Sequence, residues 1–169
     1  MGTSYGLLVL WAATASNLLI AGMFVARVVR PRWAPLLGWA GTAMAIPLGA
    51  ASVIAVAAGR DGWDIALPAV FVAFAVIEVF VDAVGGGLAK TTRWLWPYLG
   101  AFYLAQWALV GAAFRVGTGA GAGVLVTYFV CLAATGYSYR QVGHGDLRDT
   151  RDPQRRLTPP AKGSGHPAR

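Results

Sequence analysis

The chain is written in long apolar stretches separated by short polar interruptions. Five stretches stand out: Tyr5 to Val29, Trp33 to Ala58, Ile65 to Gly87, Trp94 to Val116, and Ala122 to Tyr139. A helix needs about 20 apolar residues to cross the ~30 Å hydrocarbon core of a bilayer. The pattern therefore predicts an all-α integral membrane protein, a bundle of five transmembrane helices over residues 5–29, 33–58, 65–87, 94–116 and 122–139. The last run is the weakest, because its start is rich in glycine.

The interruptions carry residues that stop helices. Pro31 stands among Arg27, Arg30 and Arg32 and breaks the first run. Gly59-Arg60-Asp61-Gly62 separates the second run from the third, and Gly85-Gly86-Gly87 closes the third. Pro47, inside the second run, predicts a kink, with the Ser52 hydroxyl available to a freed carbonyl. Pro68 is placed in the first turn of the third helix, where proline is tolerated. The string Gly117 to Gly123 reads as a loop. It mimics the glycine spacing of a phosphate loop, but no strand precedes it. Residues 140–169 have no apolar periodicity and are rich in Arg, Pro and Gly, which predicts a disordered basic tail.

Composition agrees with this reading. Apolar residues make up 57% of the chain and charged residues 12%, too apolar a balance for a soluble domain. One cysteine, Cys131, excludes a disulfide scaffold and reads as a small buried hydrophobe. The net charge of +7 raises the question of nucleic acid, but the basic residues lie beside apolar runs, and membrane topology explains them without it.

With the N-terminus outside, 12 of the 14 Lys and Arg residues fall on the inner side and only Arg60 and Arg115 on the outer side. That asymmetry predicts an odd number of spans and a cytoplasmic C-terminus in the cell membrane, plasma or inner. Trp33, Trp63, Trp94 and Trp96 fall at the expected interfaces. The tail, with Arg140, Arg148, Arg151, Arg155, Arg156, Lys162 and Arg169, is expected to attract anionic lipids. The excess of Arg over Lys, with abundant Ala and Gly, reads as a bacterial source. The N-terminus lacks the positive segment of a cleaved signal peptide, and Gly6 breaks the myristoylation pattern.

The sharpest chemical feature is Glu78 with Asp82 in the third run. Spaced four apart, they share a helix face. A charge at membrane depth costs about 2.5–3.5 kcal/mol by insertion scales. Counted from the glycine triplet, Glu78 lies roughly 12 Å and Asp82 roughly 6 Å from the inner end. The same count puts Tyr103 at about 14 Å, Asn17 at about 15 Å and Tyr128 at about 18 Å, with Gln106 one turn beyond Tyr103. The expected site is a mid-membrane proton or ligand cluster of Glu78, Tyr103, Gln106, Asn17 and Tyr128, connected inward by Asp82. The competing reading is a protonated Glu78 that joins helices by hydrogen bonds.

A second feature is the small-residue ladder Gly41, Ala45 and Gly49, with Ala13, Asn17 and Ala21 on the first run. Such faces let helices approach closely, within one chain or between chains. His144 has no Cys or second His nearby and makes a weak metal site, and no metal site or cofactor is expected.

Two functions are carried forward. One is a proton-coupled transporter or channel-like protein using an intramembrane carboxylate. The other is a non-catalytic subunit or scaffold that docks to a membrane-protein partner or a second copy through the small-residue faces. An enzyme is disfavoured, because no activated nucleophile or ligand set is present.

Overall fold

A computed structural model of the protein describes residues 2–85 and 95–142. The loop with Lys90, Arg93 and Trp94, and the tail beyond Val142 with His144, lie outside these residues. Among the described residues there are helices and turns and no strand. The helices are α1 (Gly2–Val29), α2 (Ala34–Ala43), α3 (Ala45–Ala57), α4 (Gly62–Gly85), α5 (Leu95–Val116) and α6 (Thr118–Val142). A 3₁₀ turn, Pro31–Trp33, joins α1 to α2. Together these elements make five helical segments long and apolar enough to cross a membrane, with the turn, α2 and α3 acting as one.

Proline chemistry sets two of the breaks. Arg30, before Pro31, is pushed to φ −144° and ψ 75°, because the proline ring crowds the helical conformation of its predecessor. The second span breaks at Met44. Pro47 lacks an N–H and its ring meets the carbonyl four residues back, at Ala43. The expected role of Ser52 is not realised there. Its hydroxyl lies 3.2 Å from the Leu48 carbonyl and 3.4 Å from that of Ile65. It thus ties α3 to α4 instead of serving Ala43.

Two other expectations are corrected. α4 begins at Gly62, so Pro68 is internal to the helix and not in its first turn. The glycine string is not a loop: α6 already runs from Thr118, and only Gly117 separates it from α5. Close approach explains the second correction. A Cβ at Gly121 would stand 2.3 Å from the Phe114 ring, so glycine lets the ring of α5 lie on the first turns of α6.

α1 is central, packing against α2, α3, α5 and α6, while α4 closes against α3 and α5. α1 and α6 run in the same direction side by side. The small residues are used in this packing. A Cβ on Gly41 would stand 3.0 Å from Ile20 Cγ1 of α1, and one on Gly49 would stand 3.9 Å from Val72 Cγ2 of α4. Ala45 is half-buried against the core. Gly41→Leu is therefore expected to destabilise the bundle by about 1–3 kcal/mol through overpacking. Thermal unfolding in detergent measures this, and an unchanged midpoint would mean that the α1–α2 contact gives way freely.

Candidate functional site

Three polar layers cross the bundle, the first joining α1, α4 and α5 and the other two lying between α1, α5 and α6. The first lies at the N-terminal end of α1, where local chemistry builds it residue by residue. α3 ends in a helix-terminating turn on Gly59 at φ +60°, a left-handed position that glycine adopts without steric cost. The Gly59 N–H reaches the Val56 carbonyl and the Arg60 N–H reaches that of Ala55, both at 3.0 Å. Asp61 then caps α4 by accepting the Trp63 N–H at 2.9 Å.

This turn delivers Arg60 to Asp64, Nε to Oδ2 at 2.8 Å, while Arg115 of α5 donates its Nε to Oδ1 at 2.9 Å. Arg115 also meets Asp61 at 3.2 Å. Asp64 is only 4% exposed. Pro68 has no N–H to give the Asp64 carbonyl four residues before it. The Tyr5 hydroxyl takes that place at 2.9 Å. The Arg60 guanidinium lies 4.3 Å from the Tyr5 ring centroid. One clasp thus binds α1, the α3–α4 turn, α4 and α5. The sequence places Arg60 and Arg115 only as the two basic residues expected outside and does not pair them. The usable signal was charge balance: the two outer basic residues are matched by Asp61 and Asp64.

The second layer is at mid-bundle. Gly6 of α1 meets Val116 of antiparallel α5. Eleven residues further along each helix, Asn17 comes level with Ala105 and Gln106. Asn17 donates its amide to Thr127 Oγ1 at 3.0 Å and lies 3.4 Å from the Val124 carbonyl, both on α6. Trp107 and Tyr128 pair with ring centroids 5.3 Å apart. Asn17, Gln106 and Tyr128 therefore share a level. Asn17 and Gln106 are both 0% exposed. Among the described residues, neither Gln106 amide atom has a hydrogen-bond partner, and the same holds for Asn17 Oδ1 and Ser16 Oγ. Between this layer and the clasp the buried residues are apolar: Val9, Ala12, Ala13, Leu109 and Ala112.

The third layer leads towards the C-terminal end. Tyr103 is half-buried against the core and meets the Thr135 side chain. Thr135 donates to the Cys131 carbonyl at 2.8 Å. Ser138 is fully buried, and Arg27, also buried, lies 5.5 Å from the Tyr139 ring centroid.

Glu78 is not part of the Asn17–Gln106 layer. It is half-buried on the α4–α5 seam, where it accepts the Tyr98 hydroxyl. Phe74, Tyr98 and Phe102 stack alongside. Tyr98 is eight residues from Gln106 on α5, about 12 Å along the helix. Counting inward from each loop assumed helix ends in one plane, and the Glu78–Tyr98 register shows that the ends of α4 and α5 do not share one. Tyr98 was readable as a partner, because Glu78 and Tyr98 are equidistant from residue 88. Asp82 sits one turn beyond Glu78, and its side chain lies outside the described residues.

Among the described residues no three His, Cys, Asp or Glu side chains gather as metal ligands. The polar groups available mid-bundle are neutral amides and hydroxyls, suited to hydrogen bonding and not to charge neutralisation. Comparison of the chain with protein-family models, with curated proteins and with solved structures found no match.

Proposed function

We propose that this protein is a small multi-pass carrier of the cell membrane that takes a neutral, hydrogen-bonding solute at the Asn17–Gln106 layer and exchanges a proton at Glu78. One observation carries the reading: a fully buried glutamine at mid-bundle with both amide atoms unpartnered among the described residues. Leaving a buried donor or acceptor unmade costs about 1–3 kcal/mol, and a group held at that cost invites a ligand as its explanation.

The surroundings support a path open from one side. The apolar Val9, Leu109 and Ala112 level and the Asp64 clasp separate the layer from the N-terminal end. Hydroxyls of Tyr103, Thr135 and Ser138 step from it towards the C-terminal end. Glu78 and Tyr98 lie on the neighbouring seam near that end, where an acid can trade protons with the aqueous side. The asymmetry of Lys and Arg supports placing that end in the cytoplasm.

The subunit reading drew on Gly41, Ala45 and Gly49, and these positions pack within the chain, so the carrier is preferred.

The test is flux. The protein is reconstituted in vesicles loaded with a pH dye, and amides, polyols and neutral amino acids are added outside in turn. One solute class is expected to drive a pH change that Glu78→Gln abolishes while the variant still inserts and folds. Unchanged flux in Glu78→Gln removes the proton role, and absence of flux with every solute removes the carrier.

A further inference from the structure

A groove of about 380 Å³ lies on the outside of the bundle where α2 breaks into α3 and faces α4. Its lining comes from α2, α3 and α4 and not from the helices of the solute layer, and its walls are almost wholly apolar. Trp39, Ala43 and Ile46 form one wall and Ala75, Val76 and Val79 the other. The broken helix explains it. The Met44 interruption turns α2 away from the line of α3, so α3 packs along α4 while α2 stands off from it.

The α2 wall continues towards the 3₁₀ turn. Leu36, Trp39 and Ala43 follow one another at spacings of three and four along one stripe of α2, with Arg32 four residues before Leu36 in the 3₁₀ turn and Ile46 just past the Met44 break on α3. Leu36, Trp39 and Ile46 are exposed, and so are Arg30, Arg32 and Trp33 at the head of the stripe. The Arg32 guanidinium lies 6.0 Å from the Trp33 ring centroid. From Leu36 to Ala43, within α2, is about 10 Å along the helix, inside the roughly 20 Å that separates the headgroup region from the middle of a bilayer.

We infer that this groove is a binding site for one anionic phospholipid, its phosphate on Arg30 and Arg32 and one acyl chain between α2 and α4. Charge complementarity selects the lipid class: two exposed guanidiniums and an interfacial tryptophan stand at the headgroup end of an apolar slot. A transmembrane helix from another protein would fill the slot without using the two arginines. The inference rests on the helices spanning a membrane and is independent of the solute layer.

Native mass spectrometry of the full chain tests it, after incubation with a phosphatidylglycerol or with a phosphatidylcholine of the same acyl chains. One tightly retained phosphatidylglycerol per chain is expected. Each basic residue near an anionic lipid surface is worth roughly a factor of five, so R30Q with R32Q should cut its retention by about 25-fold. Phosphatidylcholine retention should change little. A43W places a bulky side chain in the slot from an exposed position and should expel both lipids. Equal retention of the two lipids, or retention unmoved by R30Q with R32Q and by A43W, overturns the site. Protection of the slot by a second copy, seen as a dimer lost in A43W, overturns it in favour of self-association. Unchanged melting of both variants without added lipid separates loss of the site from loss of the fold.

Discussion

Gln106→Met is expected to yield a protein that is harder to unfold and, on the proposed carrier function, has lost solute-driven flux. The usual direction for a core substitution is destabilisation. Here the sign reverses, because the wild-type amide is fully buried with neither atom hydrogen-bonded among the described residues. Methionine keeps the length and flexibility of the side chain and removes the buried polar atoms. Relief of the unmade hydrogen bonds should raise stability by about 1–3 kcal/mol. Chemical unfolding in mixed micelles measures the gain, and the vesicle assay measures the loss of solute-driven flux. A less stable Gln106→Met variant would show that the amide is structural glue. A more stable variant with normal flux would show that the solute binds elsewhere. The pairing of gain and loss is the signature of a site held at the expense of stability.

Asp64→Ala should produce the largest loss of stability of any single charge removal at the clasp. It strips one carboxylate from two arginines, Arg60 in the α3–α4 turn and Arg115 on α5. Breaking a buried pair by removing one partner costs about 3–5 kcal/mol. Both guanidiniums keep some access to solvent, which screens their uncompensated charge and puts the effect near the low end of that range. Denaturant unfolding of the single variant and of the variant that also carries Arg115→Met gives the check. The second substitution should recover part of the loss, because an unpaired charge is removed with it. A single-variant loss under about 0.5 kcal/mol would reduce the clasp to an ordinary surface ion pair.

Much of the architecture was legible in the chain. Apolar runs of the right length marked the five helical segments long and apolar enough to cross a membrane, and Pro31 with its flanking arginines marked a true break. What periodicity could not supply was the response of the backbone to its neighbours. Pro47 announced a kink, but its exact place, Met44, follows from the carbonyl that the ring displaces. The glycines from 117 to 123 look like a loop in isolation, because glycine is a poor helix former. In the fold all but Gly117 lie in α6, and at Gly121 the Phe114 ring occupies the space that a side chain would need.

The same holds for the site. Asn17, Gln106 and Tyr128 share a level because their helices start close to common ends. Glu78 was misplaced relative to them, because residue counts say nothing about how far one helix end protrudes beyond its neighbour. The Asp64 clasp depends on a carbonyl made acceptor-rich by Pro68 and on a tyrosine 59 residues earlier, a pairing that no local pattern encodes.

The Asn17–Thr127 bond has a consequence for biosynthesis. Its partners are 110 residues apart, and ribosomes add about 5–20 residues per second. For helices that enter a bilayer in the order of synthesis, the Asn17 amide waits roughly 5–20 s for its partner on the last helix. Neighbouring hairpins alone do not complete the bundle, because α1 pairs with α6. Closure of the last helix onto the first is then the expected final step, and a nascent chain halted before residue 127 should remain open along that seam.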